Sequence, residues 1–423
     1  MNELAQFLYY TNKVFALPKL LRGVRDQRLY PQIPLQPVLL TLLLGVVLRV
    51  SSYLDLATQT LRRRRWRRLV GASGPISHDT FGYVTERLDP EDLRRTISSV
   101  NRTLKTNKNL DQAKIHGLHF LSLDANEHFS SRSRCCDRCC QRQIKIKDAQ
   151  GQIQEVTEYY HRNVFAHRGG PQFNMLVDLE PIRPGEDESQ SALRLLGRFR
   201  RVEGVRSVDV VTVDGWYAKG PFLRAIEKLG WEWVVVLKQE RLEVFREARQ
   251  LLALEPPGPQ FQDEQRQREV QLSEVKGLPF SEGYGKTVRV VRSQERWVEK
   301  KVVGGRKVRR QQQSQWWWMA SAGLDAYPSQ VIYRGGHRRW GIENEAFNQL
   351  TQFYHLEHCY HHEPGAMLVQ MLILMLGFTL FTAFAKLHRK VVRLKQMSLK
   401  DLAHQLDLAL VEDLPWEQWF ACG

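Results

Sequence analysis

Acidic residues are the scarce charge in this 423-residue chain: 46 Asp and Glu stand against 62 Lys and Arg, leaving a net charge of +16. That excess favours a polyanionic partner such as nucleic acid or an anionic membrane surface. Cysteine is also scarce. Four of the six crowd into Cys135, Cys136, Cys139 and Cys140, a distribution unlike a secreted disulfide framework. Residues 1–17 lack a basic flank followed by a long apolar core and a small-residue cleavage site, so no signal-peptide pattern is present. These features predict a cytoplasmic protein. One stretch, 366–385, is free of charge and long enough to span a bilayer. Gln370, Thr379 and Thr382 interrupt it and no second span exists. A helix apolar all round is also a core helix, so the prediction is a buried helix and no membrane partner.

The length allows a large core and several domains. Residues 1–110 read as helical and basic, a DNA-binding domain. Within them, Arg62 to Arg68 form a run broken only by Trp66; Arg64 and Arg65 are candidate phosphate contacts and Trp66 a candidate stacking group. Ser77 and Asp89 are candidate N-caps of two short helices, a pattern compatible with a helix-turn-helix. From residue 117 the pattern turns to strands at 117–124, 159–166, 173–179, 208–213 and 233–237, with helices at 186–202 and 219–229. The Gly169-Gly170-Pro171 break suits a hairpin. The order β-β-β-α-β-α-β predicts an α/β fold, an RNase H-like mixed sheet flanked by helices.

Residues 111–237 and 316–386 are read as the two parts of this domain, interrupted by a β-rich basic insertion at 238–315 and followed by a helical tail at 387–423. Within the insertion, 286–310 reads as a hairpin turning at Gly304-Gly305. It carries ten Lys and Arg against Glu295 and Glu299, half the net charge of the chain. Arg306, Lys307, Arg309 and Arg310 are its candidate DNA contacts. In the tail, Ser398 and Asp401 have capping-box spacing.

Three acids stand out. Asp124 and Asp214 each close an apolar, strand-like run, and in the predicted sheet those strands are neighbours. Glu343 shares a predicted helix face with Arg339 and Phe347 at spacings of four. Carboxylates brought together repel unless cations neutralise them. Hard oxygen donors suit Mg²⁺ or Mn²⁺, and a pair of such ions about 3.5–4 Å apart catalyses in-line phosphoryl displacement. Arg339 is a candidate phosphate contact. Glu345 is a fallback third acid, facing away from Glu343 on a helix. In the cysteine cluster, Cys136 and Cys139 have the C-x₂-C spacing of a structural zinc site. Cys135, Cys136, Cys139 and Cys140 are its candidate ligands, with His128 or His161 completing it. His355, His358, His361 and His362 lack a clean ligand pattern and read as surface or packing residues.

The segments Ser122-Leu123-Asp124, Val211-Thr212-Val213-Asp214-Gly215-Trp216-Tyr217 and His337-Arg338-Arg339-Trp340-Gly341-Ile342-Glu343 resemble the three motif regions of bacterial insertion-sequence transposases of the DDE type. The branch it resembles carries a β-strand insertion between the second Asp and the Glu. Spacings of 90 and 129 residues between the acids accommodate that insertion, and the resemblance covers about residues 75–385. It implies an Asp124, Asp214, Glu343 triad holding Mg²⁺, cleavage at element ends, strand transfer to target DNA, and a homodimer on DNA. It also implies phosphate contacts from this helix, for which Arg338 and Arg339, with Tyr333 and Arg334 one turn earlier, are the candidates. Relatives carry a Tyr three residues before the Arg and a Lys seven after the Glu; here these positions are Gly336 and Leu350. A nuclease that cuts without joining, or a DNA-binding relative without activity, would keep much of the same pattern.

Overall fold

The charge-free stretch forms helix α13 (Pro364–Ala383), and 94% of its most apolar window is buried. In this computed structural model the described residues are 2–149, 151–170, 173–256, 258–303, 306–388 and 397–410, those at 300–303 and 306–307 by backbone alone. The chain forms two compact units. One comprises residues 1–113, 125–195 and 342–423, the other residues 114–124 and 196–341.

In the first unit α13 is the central rod. It packs against α3 (Leu35–Val47), α6 (His78–Arg87), α7 (Pro90–Thr106) and strand β4 (Asn174–Pro181). Partners on all sides explain why its sequence shows no polar face. Each fully buried Leu, Ile, Met or Phe there contributes about 1.5–3 kcal/mol. Close approach to α3 requires Gly377, since a Cβ there would lie 2.6 Å from Val46. Its Gln370 is satisfied by the Tyr53 hydroxyl, which donates to Oε1 at 3.0 Å. Ser77 and Asp89 cap α6 and α7 through their side chains. Trp66, however, is fully buried on the inner side of the short helix Arg64–Val70. It is core, not a stacking surface. The tail helix Leu399–Leu408 carries the Ser398–Asp401 capping box.

Strand β1 (Phe120–Ser131) contributes residues 120–124 to the second unit and the rest to the first. In the first unit its neighbour is β3 (Ile153–Gly169), which also pairs antiparallel with β2 (Cys140–Lys147) and with β4. Pro171 of the β3–β4 turn lies outside the described residues. In the second unit the order is β1, β5 (Val210–Val213), β6 (Glu232–Val236), β10 (Arg306–Ser321), β9 (Lys286–Val303), β8 (Arg268–Phe280), β7 (Gln260–Asp263). The β1–β5 and β5–β6 pairs are parallel and the later ones antiparallel. The fold is α/β with an RNase H-like mixed sheet.

The predicted hairpin is β9–β10, its Gly304-Gly305 turn lying outside the described residues. Its base is apolar. Trp318, Met319 and Ala320 pair with Val236, Val235 and Val234, so β10 extends the sheet rather than leaving it. Val234, Val236, Val270, Leu272, Val291 and Trp318 share one core with Val331, Ile332 and Tyr333 of α11 (Ser329–Arg338). That helix lies close because Gly335 and Gly336 face Phe120 and the Trp318 indole, where a Cβ would overlap the rings. A tyrosine cannot stand at Gly336 without displacing Trp318.

Candidate active site

Ser122 pairs with Thr212 across the parallel β1–β5 ladder, and their hydroxyls are 2.9 Å apart on one face. Side chains alternate along extended backbone. Two residues further on, Asp124 and Asp214 therefore point to that same face, side by side. Asp124 does not end its strand, which continues to Ser131. Asp214 does end β5 and caps the single turn Gly215–Tyr217, accepting from the Trp216 N–H at 2.8 Å. Two carboxylates side by side, with only oxygen to offer, fit a hard divalent cation.

Arg339, just past the end of α11, is only 2% exposed and donates from Nη1 to Asp124 Oδ2 at 2.9 Å. The expectation of an Arg339–phosphate contact is thereby corrected: the guanidinium is buried against an acid. Its cation lies 5.6 Å from the Trp340 ring, which packs on Trp316.

Polar contacts fasten α11 from beneath. The Tyr333 hydroxyl donates to Asp263 and accepts from Arg266, each at 2.9 Å. His337 Nε2 donates to Glu295 Oε1 at 2.6 Å, while Arg266 and Arg268 donate to Glu295 Oε2 at 3.0 and 2.6 Å. Burial alone would raise the Glu295 carboxyl. The His337 hydrogen bond and the two arginines outweigh it and hold the group down at about 2. Burial lowers His337 to about 4, against the pull of Glu295. At neutral pH the imidazole is therefore uncharged, and it donates to Glu295 beside the two arginines. Tyr333 is fully buried and bound to Asp263, so it leaves the set of candidate DNA contacts.

Glu343 lies in the first unit, on a π-helical turn (Ile342–Phe347) that leads into α12 (Asn348–Tyr354). The sequence suggested an ordinary α-helix. Such wide turns are rare and frequently mark functional sites. Glu343 is half-buried, and Phe347 packs edge-on against Phe165 at 5.2 Å. Glu345 is exposed and accepts a hydrogen bond from Asn174. Leu350, in the family's Lys position, is fully buried.

Among the basic candidates, Arg64, Arg309, Arg310 and Arg334 are exposed, and Arg65 and Arg338 half-buried. The side chains of Arg306 and Lys307 lie outside the described residues. Not all hairpin charge faces outward: Arg289 is buried against Glu274. Trp216 is a residue of the site that its motif alone did not single out. It stands 56% exposed immediately after Asp214, with the Lys219 ammonium 4.7 Å from its ring.

The cysteine cluster resolves into two behaviours. Cys136 and Cys139 meet His161 of β3 and His362, all four ligand atoms lying within 4.8 Å of one another. Cys135 is exposed, and Cys140 turns to the Ile182 carbonyl. His128 bonds Asn163 instead. The four-cysteine expectation is corrected to two, and His362 replaces a packing role with a place in the cluster.

Residues 175–380 match the family described as the transposase DDE domain. The match includes Asp214 and Glu343 and begins after Asp124. A solved structure of the piggyBac transposase in a synaptic complex with hairpin DNA is similar at 15% identity and a TM-score of 0.42, over 97% of this chain and 80% of that one. No curated protein matches the chain. Over that segment, 206 of the 423 residues, the chain is similar to transposase DDE domains.

Proposed function

We propose that the chain is a DNA transposase that cleaves strands at the ends of its element and joins them to target DNA. The observation that carries this reading is the β1–β5 register, which sets Asp124 beside Asp214 within a chain whose later part matches the DDE domain. In this reading Asp124, Asp214 and Glu343 are the metal-binding acids. Mg²⁺ or Mn²⁺ held by such carboxylates supplies Lewis acidity for activating an attacking water or 3′-hydroxyl and for stabilising the leaving oxygen. Arg339 holds the Asp124 carboxylate in a fixed orientation. Asp214 is fixed by its own cap on the Trp216 N–H. Exposed Arg309, Arg310, Arg334 and Arg64 bind phosphates, with half-buried Arg65 and Arg338 beside them in sequence, and Arg306 and Lys307 add to the hairpin's charge. Trp216 offers a base-stacking face with a cation beside it. The chain works as a homodimer on DNA in the cytoplasm.

The test is a cleavage and strand-transfer assay on DNA carrying the terminal repeats that flank the reading frame, with Mg²⁺ or Mn²⁺. Native chain is compared with Asp214→Ala. Metal-dependent cutting and joining that vanish in the variant support the reading. Cutting without joining replaces it with a nuclease. Binding without chemistry in either protein replaces it with an inactive relative, and equal activity in both removes Asp214 from the site.

A further inference from the structure

Cys136, Cys139, His161 and His362 form a cluster that lies wholly within the first unit. We propose that these four side chains bind one structural Zn²⁺ ion.

Four of the six ligand–ligand separations are close to those of a tetrahedron, and all six lie within 4.8 Å. The two sulfurs are 3.6 Å apart, His161 Nε2 lies 3.3 and 3.2 Å from Cys136 and Cys139 Sγ, and His362 Nε2 lies 3.6 Å from Cys139 Sγ. Zinc bonds of about 2.3 Å to sulfur and 2.0–2.1 Å to nitrogen in tetrahedral geometry give ligand–ligand edges of about 3.3–3.8 Å. Ligands at these separations need only small shifts to close on an ion. Two thiols and two imidazoles are the donor set that zinc favours, and four protein ligands leave no open position, as a structural site requires. Without a metal, the same arrangement leaves two thiols and two rings crowded together with little reason to converge.

The surroundings are built for these four and not for their neighbours. Cys136 and Cys139 sit on one tight turn, closed by the Cys139 N–H donating to the Cys136 carbonyl at 3.2 Å. The Cys136 N–H in turn points at Cys139 Sγ, 3.3 Å away, the kind of backbone donor that stabilises a thiolate ligand. Phe129 packs on the His362 ring at 4.5 Å. Adjacent His361 is engaged elsewhere, with Glu86 at 2.7 Å. Binding displaces one proton from each thiol to solvent, giving a neutral centre of two thiolates, two uncharged imidazoles and the dication. The ion would tie three separate pieces of chain: the loop after β1, the strand β3, and the 355–363 segment between α12 and α13. This inference stands whether or not the chain is a transposase.

Zinc content of the full chain, purified under reducing conditions without a histidine tag, tests the proposal, together with Co²⁺ substitution. The expected result is about one zinc per chain and, on Co²⁺ replacement, the strong visible bands of a tetrahedral site with sulfur-to-metal charge transfer. Cys139→Ser and His362→Ala should each weaken zinc affinity at least about tenfold, while Cys135→Ser and His361→Ala leave it unchanged. Because a ligand variant can fail to fold, the native chain's Co²⁺ spectrum decides independently. An octahedral spectrum, no zinc uptake from Zn²⁺ added to the reduced protein, a Cys136–Cys139 disulfide in its place, or loss of zinc on Cys135→Ser would overturn the proposal.

Discussion

Acidification from pH 6.5 to 4.5 should loosen the second unit through His337, and replacing that residue should remove the effect. The ring is nearly enclosed by Trp316, Trp318, Tyr333 and Trp340, with Glu295, Arg266 and Arg268 as the charged groups of its pocket. Its folded pKa of about 4 lies below the usual 6.5. Between those values the unfolded chain takes up a proton that the folded chain refuses, so stability falls as pH falls through this window. The slope is about 1.4 kcal/mol per pH unit, reaching about 3 kcal/mol by pH 4. Glu295, held at about 2, stays ionised in the folded state throughout. It adds a loss of the same sign only as the unfolded carboxyl begins to protonate, near pH 4.5 and below.

His337→Gln keeps a donor to Glu295 and removes the titration. Other buried histidines, His128 at about 3 among them, contribute equally to both proteins, so the difference isolates His337. Urea midpoints followed by tryptophan fluorescence at pH 7.5, 6.5, 5.5 and 4.5 should show the native chain losing about 1–1.4 kcal/mol per unit more than the variant. Parallel pH profiles, or a native chain that gains stability on acidification, would refute the reasoning.

Gly336→Ala should cost about 1–3 kcal/mol, because the added Cβ meets the Trp318 indole in a filled core; denaturant titration checks this, and a neutral result would mean that α11 shifts freely. Tyr333→Phe should cost about 1–3 kcal/mol by stripping Asp263 and Arg266 of a buried partner, with DNA affinity unchanged in fluorescence anisotropy. Arg309→Ala with Arg310→Ala should instead leave stability alone and flatten the salt dependence of DNA binding, by about 0.9 in log–log slope for each phosphate no longer neutralised. Arg339→Gln should cost about 2 kcal/mol, since the buried ion pair with Asp124 is broken, and thermal melts under matched buffer measure it.

The acids of the two parallel strands were legible because each closes a run of apolar residues, which is how a buried strand announces itself. Asp124 was misjudged as a strand end because the residues after it, Asn126, Glu127 and His128, are polar, although the backbone stays extended to Ser131. Strand β2 was missed for a related reason. Its Arg142, Lys145 and Lys147 occupy a strand paired with β3 alone, where no apolar pattern is needed. Trp66 misled in the other direction: arginines on both sides suggested a surface, yet one side of the short helix is core. His362 carried no local signal, since its cluster partner Cys139 is 223 residues away in sequence. The C-x₂-C spacing pointed to the site, and the sequence reached Cys136, Cys139 and, as an alternative to His128, His161, but not His362.

The insertion is more than a carrier of charge. Asp263, Arg266, Arg268 and Glu295 all belong to it, and they are the groups that grip Tyr333 and His337. Those two residues lie on successive turns of α11, and two residues beyond His337 the chain delivers Arg339 to Asp124. Close seating of the helix through Gly335 and Gly336 then fixes the depth at which that guanidinium arrives. A tyrosine at position 336 and this seating exclude each other, because both need the space of the Trp318 ring. The buried hydroxyl of Tyr333, one turn earlier, serves a different end: it locks the helix to the insertion. Position and role have therefore parted in this chain. The helix is held by buried hydrogen bonds to insertion residues, and Arg334 is left exposed on it.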